Sequence, residues 1–151
     1  GIPMDSVMSG FLSGPAEALS PDAAPNHWDI IEGQGSVFHP SFACVSVGLL
    51  HGSQPDIIVM CHQLGRDQMV GTKGYPTPSI PEAIELTMAL GRRTNPAVRC
   101  AGVSLNTSEL GEPQARAALA EHSKALGMPV ADPLRPGAEL DRLVEACLRA
   151  P

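Results

Sequence analysis

Two apolar runs of strand length, DIIVMCH at 56–62 and VRCAGVSLN at 98–106, stand on either side of one segment with helical period. That segment has Ser79 as its expected cap and Glu82 three residues on. Ile80, Ala83, Ile84, Leu86, Thr87 and Leu90 follow at recurring positions before Gly91 stops it. Both runs are largely apolar and about as long as an ordinary strand. Strand, helix and strand then predict a parallel pair joined by a right-handed crossover.

The alternation extends in both directions. From Asp5 to Leu19, Val7, Met8, Phe11, Leu12, Ala16 and Leu19 recur near helical spacing, and Gly10 with Gly14-Pro15 predicts that this helix is short or kinked. SPDAAPN (20–26) reads as a loop, and WDII (28–31) as a four-residue buried strand. PSFACVSVGLLHG predicts a helix closed by Gly52. Further on, PQARAALAEHSKALG predicts a helix ending at Gly127 and MPVAD (128–132) a short strand. Leu140, Leu143, Val144, Cys147 and Leu148 predict a last helix. The expected fold is α/β, three layers, with a mostly parallel sheet and helices on both faces. At 151 residues one domain is the default.

Composition narrows the function classes. Ten basic against sixteen acidic residues give a net charge of -6 with no basic run, which disfavours nucleic acid as a partner. The longest apolar stretches fall far short of the roughly 20 residues that span a bilayer, so a soluble, cytoplasmic protein is expected. Cys44, Cys61, Cys100 and Cys147 are widely spaced without a C-x-x-C pair, and neither a metal centre nor a disulfide is expected. Gly1 rather than Met at the start suggests part of a longer chain.

In open α/β sheets, ligands gather outside the carboxyl ends of the strands. Here those ends are Glu32-Gly33-Gln34-Gly35-Ser36, His62 to Arg66, Asn106-Thr107-Ser108 and Asp132-Pro133-Leu134-Arg135. All are polar, charged or glycine-bearing, and they are expected to converge on one rim. Glu32 ends an apolar run and suits a metal-bound water or a substrate cation, while Gly33 and Gly35 allow backbone amides close to an anion. The alternative is a cap followed by a tight turn.

WDIIEGQGS resembles the strand-then-E-G-x-G segment of dethiobiotin-synthetase-like P-loop proteins. More closely, HWDIIEGQGSVFHPSFACVSVGLLHGSQPD, GVSLNTS and GMPVADPLRPG are similar to the C-terminal domain of the bacterial D-glutamate N-acetyltransferase family, in ordered blocks across nearly the whole chain. The resemblance implies a P-loop NTPase-like fold, acetyl-CoA as co-substrate and an acidic D-amino acid as acceptor. It also implies a Rossmann-like N-terminal domain and a P-loop-like segment ahead of residue 1. No G-x-x-x-x-G-K-[ST] motif occurs in these residues, so the segment that would cradle phosphates is absent from them.

Acyl transfer to an amine needs a base, a polarised carbonyl and a grip on the acceptor's carboxylates. Glu32 and His39 are the catalytic candidates, histidine being the side chain that changes charge nearest neutral pH. Gly33, Gln34, Gly35 and Ser36 are candidates for oxyanion or coenzyme phosphate. Arg66 and Arg135 are candidate forks for a dicarboxylate, with Asn106 reading substrate or capping its own turn and Asp132 orienting Arg135. The duller readings are a loop-bonding His39, solvated arginines, a His62 that simply closes its strand, and surface or core packing for His27, His51 and His122. QLGRDQMVGTKGYPTPS (63–79) is long and aperiodic, and is expected to close over the site with Arg66, Lys73 and Tyr75.

A nucleotide-hydrolysing or ligase domain, in which Glu32 serves a magnesium nucleotide, is the second reading. A non-catalytic or oligomerisation module is the third. A small-molecule substrate and a homo-oligomer are expected.

Overall fold

β1 (Ile57–Gln63), β2 (Arg99–Asn106) and β3 (Val130–Ala131) form one parallel sheet in the order β1-β2-β3 in the computed structural model, which describes residues 6–24 and 26–149. The chain divides into two compact units. One holds this sheet, as Ile57–Ile84 and the residues from Arg99 onward; the other holds the residues up to Asp56 with Glu85–Val98.

In the sheet unit β2 is flanked on both sides, and it carries two of the most deeply buried residues. Val103 and Leu105 are fully buried and pack with Ile80 of α3 (Ile80–Gly91), Leu119 of α4 (Glu112–Leu126) and Val130. Successive strand residues face opposite ways. Gly102 accordingly meets α5 (Ala138–Leu148) on the other face, where a Cβ would lie 2.6 Å from Leu143 Cδ1 and against the Pro129 carbonyl. Helices on both faces of a parallel sheet give the three layers expected from the sequence. Ala101 is an extra residue in β2, because Ile58 pairs with Cys100 and Val59 with Gly102.

Local chemistry sets the element ends. Ser79 and Glu82 form the expected capping box: the Ser79 amide and hydroxyl donate to Glu82 Oε2 at 2.9 and 2.5 Å, and the Glu82 amide returns to Ser79 Oγ at 3.4 Å. α4 stops at Gly127, whose φ is 65°. The Arg99 guanidinium donates to the carbonyls of Ala146, Cys147 and Arg149 at 2.8, 3.0 and 2.6 Å, satisfying orphan acceptors at the end of α5. Residues 63–79 are a small hairpin rather than a shapeless loop. Gln68 bridges Pro76, the Met69 amide donates to Tyr75 O at 2.9 Å, and Met69 is buried.

In the other unit a 3-10 turn at Ser9–Phe11 leads into α1 (Ser13–Leu19), which packs on α2 (Ala43–Ser53). Asp5, the expected first residue of that helix, lies outside the described residues. Gly52 does not close α2, contrary to expectation. The helix runs to Ser53 and ends on Gln54 in the left-handed region, at φ 47°. Gly52 is instead a contact residue, where a Cβ would fall 2.6 Å from Ala16 Cβ and against the Ser13 carbonyl; one at Gly48 would fall 2.7 Å from Leu12 Cβ. Leu12 and Ala16 are the buried residues so covered. In the same unit Asn95 Nδ2 lies 3.2, 3.1 and 3.0 Å from Gln54 O, Pro55 O and Asp56 Oδ1, and His51 Nε2 lies 3.0 Å from Leu90 O.

The expected strand at WDII does not form. Residues 28–31 are irregular, with Trp28, Ile30 and Ile31 53%, 95% and 43% exposed. Apolar continuity marks a run for burial but does not supply the neighbouring strand its amides need, and no described residue supplies one. β3 is likewise shorter than MPVAD, reduced to Val130–Ala131.

Candidate functional site

The carboxyl ends of β1, β2 and β3 lie side by side, with Gln63 paired to Asn106 and the Leu64 amide donating to Asn106 O at 3.2 Å. Asn106 Oδ1 accepts the Ser108 amide at 2.9 Å, so this side chain caps its own turn. The Arg66 guanidinium donates to Gln63 Oε1.

The tightest group is built on Asp132, 2% exposed. Asp132 Oδ2 accepts the Thr107 amide at 3.0 Å and its hydroxyl at 2.5 Å, and Oδ1 accepts the Leu134 amide at 2.9 Å. Arg135 completes the cluster. Its Nε donates to Thr107 Oγ1 at 2.9 Å, its Nη2 lies 3.3 and 2.8 Å from the carbonyls of Thr107 and Leu110, and its Nη1 pairs with Glu112. A guanidinium so engaged ties the loop after β2 to the loop after β3, and its fork is already occupied by protein acceptors. From the sequence Thr107 was named only within the strand end Asn106-Thr107-Ser108, without a role of its own, and Glu112 was not singled out. Glu112 had a legible signal in its i,i+4 spacing to Arg116, whose Nη2 lies 2.7 Å from Glu112 Oε1. Thr107 had none beyond its place after an apolar run.

The charges respond to this packing. Burial acts to raise the Asp132 pKa, but the Thr107 hydroxyl, the Leu134 and Thr107 amides and the Arg135 charge outweigh it and hold the carboxyl below the ordinary aspartate value. Glu112 is also lowered, chiefly by its hydrogen bond from Arg135. His62, at the end of β1, is lowered by burial first and then by the charges of His122 and Arg66.

In the other unit, Glu32 to His39 form a turn held largely from within. Gly35 has φ 58°, which glycine adopts without strain, and the place its Cβ would take is 3.1 Å from Phe42 Cβ. Gly33 is not in that region and has open space around it. Ser36 Oγ accepts the Phe38 amide at 3.2 Å, and the Ser46 hydroxyl donates to Gln34 O. His39, 6% exposed, lies 4.8 Å from the Phe42 ring between centroids, and its Nδ1 is 3.1 Å from the Ser41 amide. A backbone amide only donates, so Nδ1 accepts and a neutral His39 carries its proton on Nε2. The nitrogen a neutral imidazole would use as a base is thus already taken.

Glu32 is exposed, and its side chain makes no hydrogen bond or ion pair among the described residues. It borders an open groove of about 320 Å³ with Ala16, Leu19, Ile30, Ile31 and Leu49. Ser20, Asp29 and Ser53 also line this groove, so its wall is mixed, with two carboxylates that can take an ammonium group, and the space at Gly33 lets an anion reach the backbone.

Residues 1–144 match the family described as "Domain of unknown function (DUF1611_C) P-loop domain". A Pseudoalteromonas protein named D-glutamate N-acetyltransferase is 50% identical over 139 residues, covering 92% of this chain and 42% of that protein. One of the same name from Tritonibacter scottomollicae is 43% identical over 146 residues, covering 97% and 43%. The crystal structure of a DUF1611 family protein from Anabaena variabilis aligns with a TM-score of 0.79 at 32% identity, over 96% of this chain and 43% of that one. The chain spans less than half the length of these relatives. Matching from its first residue to the middle of α5, it belongs to the DUF1611 family as a C-terminal, P-loop-type α/β domain.

Proposed function

We propose that this chain is the C-terminal domain of an N-acetyltransferase that moves an acetyl group from acetyl-CoA to the amine of an acidic D-amino acid, D-glutamate by analogy with the relatives' name. The observation that carries the reading is 50% identity over 92% of the chain to a protein so named. Glu32 is the strongest catalytic candidate, because it alone among the named carboxylates has no commitment to the fold. It takes the proton released as the amine attacks the thioester, or holds the substrate ammonium. Gly33 offers its amide to the oxyanion. Within the sheet unit taken by itself, Arg66, exposed beside Gln63, is less committed to the fold than Arg135 and is the freer guanidinium for a carboxylate.

The relatives' greater length supports a further, N-terminal domain in the working enzyme. The family's description as a P-loop domain favours a second reading, a magnesium-nucleotide site to which Glu32 contributes. Full-length protein incubated with acetyl-CoA and D- or L-glutamate, followed by thiol release, tests the first reading. Parallel incubation with ATP or GTP and magnesium, followed by phosphate release, tests the second. Thiol release dependent on D-glutamate supports acyl transfer, whereas phosphate release alone rejects it.

A further inference from the structure

Trp28–Ile31 is the most conspicuous unsatisfied element of its unit. Trp28 and Ile30, two residues apart, are 53% and 95% exposed, and Ile31 is 43% exposed. Among the described residues, no backbone amide or carbonyl from Trp28 to Gly33 makes a hydrogen bond. Apolar side chains beside unpaired backbone groups are what a strand edge presents, and natural edges are normally blunted by charged side chains, proline or a bulge. Within WDII there is no lysine or proline, and its one charge, Asp29, lies 3.0 Å from His27 Nε2. The segment is therefore built to be paired.

We propose that Trp28–Ile31 is a β-strand completed by a strand from the part of the full-length protein outside residues 1–151. The argument for this occupant is one of length. Relatives matching across 92% and 97% of this chain devote only 42% and 43% of their own residues to the match. The proposal rests on family membership and not on acyl transfer. Pairing would also fix the direction in which Glu32 and Gly33 leave the strand, making the candidate site dependent on the remainder of the protein.

Peptide-resolved hydrogen exchange on residues 1–151 and on the full-length protein tests this, with the β2 amides as the folded reference. Amides 29–33 are expected to exchange at unprotected rates in residues 1–151 and at least about 100-fold more slowly in the full-length protein. Equal, unprotected exchange in both would overturn the proposal. Protection in residues 1–151 alone overturns it too, by a second copy if it rises with concentration and by pairing within the chain if it does not. Ile30→Pro removes one donor and is expected to lower the Tm of the full-length protein while leaving that of residues 1–151 unchanged; an equal loss in both would also count against it. Because exchange is read without turnover, failure of the acyltransferase reading leaves this result standing.

Discussion

The Asp132 carboxylate accepts both the amide and the hydroxyl of Thr107, at 3.0 and 2.5 Å, so one buried acid holds together the two loops that follow β2 and β3. This relationship gives Asp132 a role in stability that is independent of any substrate.

Asp132→Asn keeps the acceptor for the Leu134 amide but turns an NH2 group toward donors. The expected cost is about 2–3 kcal/mol at neutral pH, measured by denaturant unfolding. The sign of the pH dependence follows from the lowered pKa. The stabilisation is complete above the unfolded aspartate value and is lost as pH falls through the folded one. The wild-type chain should thus lose more stability than Asp132→Asn on acidification below the ordinary carboxylate range. Equal acid sensitivity would show that the carboxylate is not held as described.

Gly52→Ala drives a methyl group into Ala16 and the Ser13 carbonyl. Overpacking of this kind costs roughly 1–3 kcal/mol, despite alanine's better helix propensity. A thermal melt showing stabilisation would mean that α1 shifts freely on α2.

His62 should resist protonation. Burial and the charges of His122 and Arg66 lower its pKa, so the unfolded chain takes up the proton first as pH falls below the ordinary histidine value. This contribution to stability is intact above that value and declines beneath it. Arg66→Gln removes one opposing charge and is expected to move the His62 titration, followed by NMR, upward. A downward or absent shift would contradict the assignment.

Arg135→Ala and Glu32→Gln should separate fold from chemistry. Arg135 bonds Thr107, Leu110 and Glu112, so its loss should lower Tm along with activity. Glu32 has no partner among the described residues, so Glu32→Gln should leave Tm unchanged and reduce kcat/KM of the full-length enzyme by about 100-fold or more. Full activity in Glu32→Gln would remove Glu32 from the mechanism.

The alternation of strands and helices, the Ser79–Glu82 box, the stop at Gly127 and the parallel sheet were all legible in the chain, because hydrophobic period and capping act between residues close in sequence. Three of the four polar strand ends, those after β1, β2 and β3, were legible as positions too, whereas Glu32–Ser36 follows no strand. What each of their side chains does was decided by partners distant in the chain. Arg135 meets acceptors 23 to 28 residues away, and Asp132 meets Thr107 at a separation of 25. Gly52 reads as a helix stop until α1 is laid against it. WDII carries the composition of a buried strand, but burial needs a neighbour, and a four-residue run cannot name one. Local sequence sets which elements can form; their packing determines which groups are consumed by the fold and which, like Glu32, are left for chemistry.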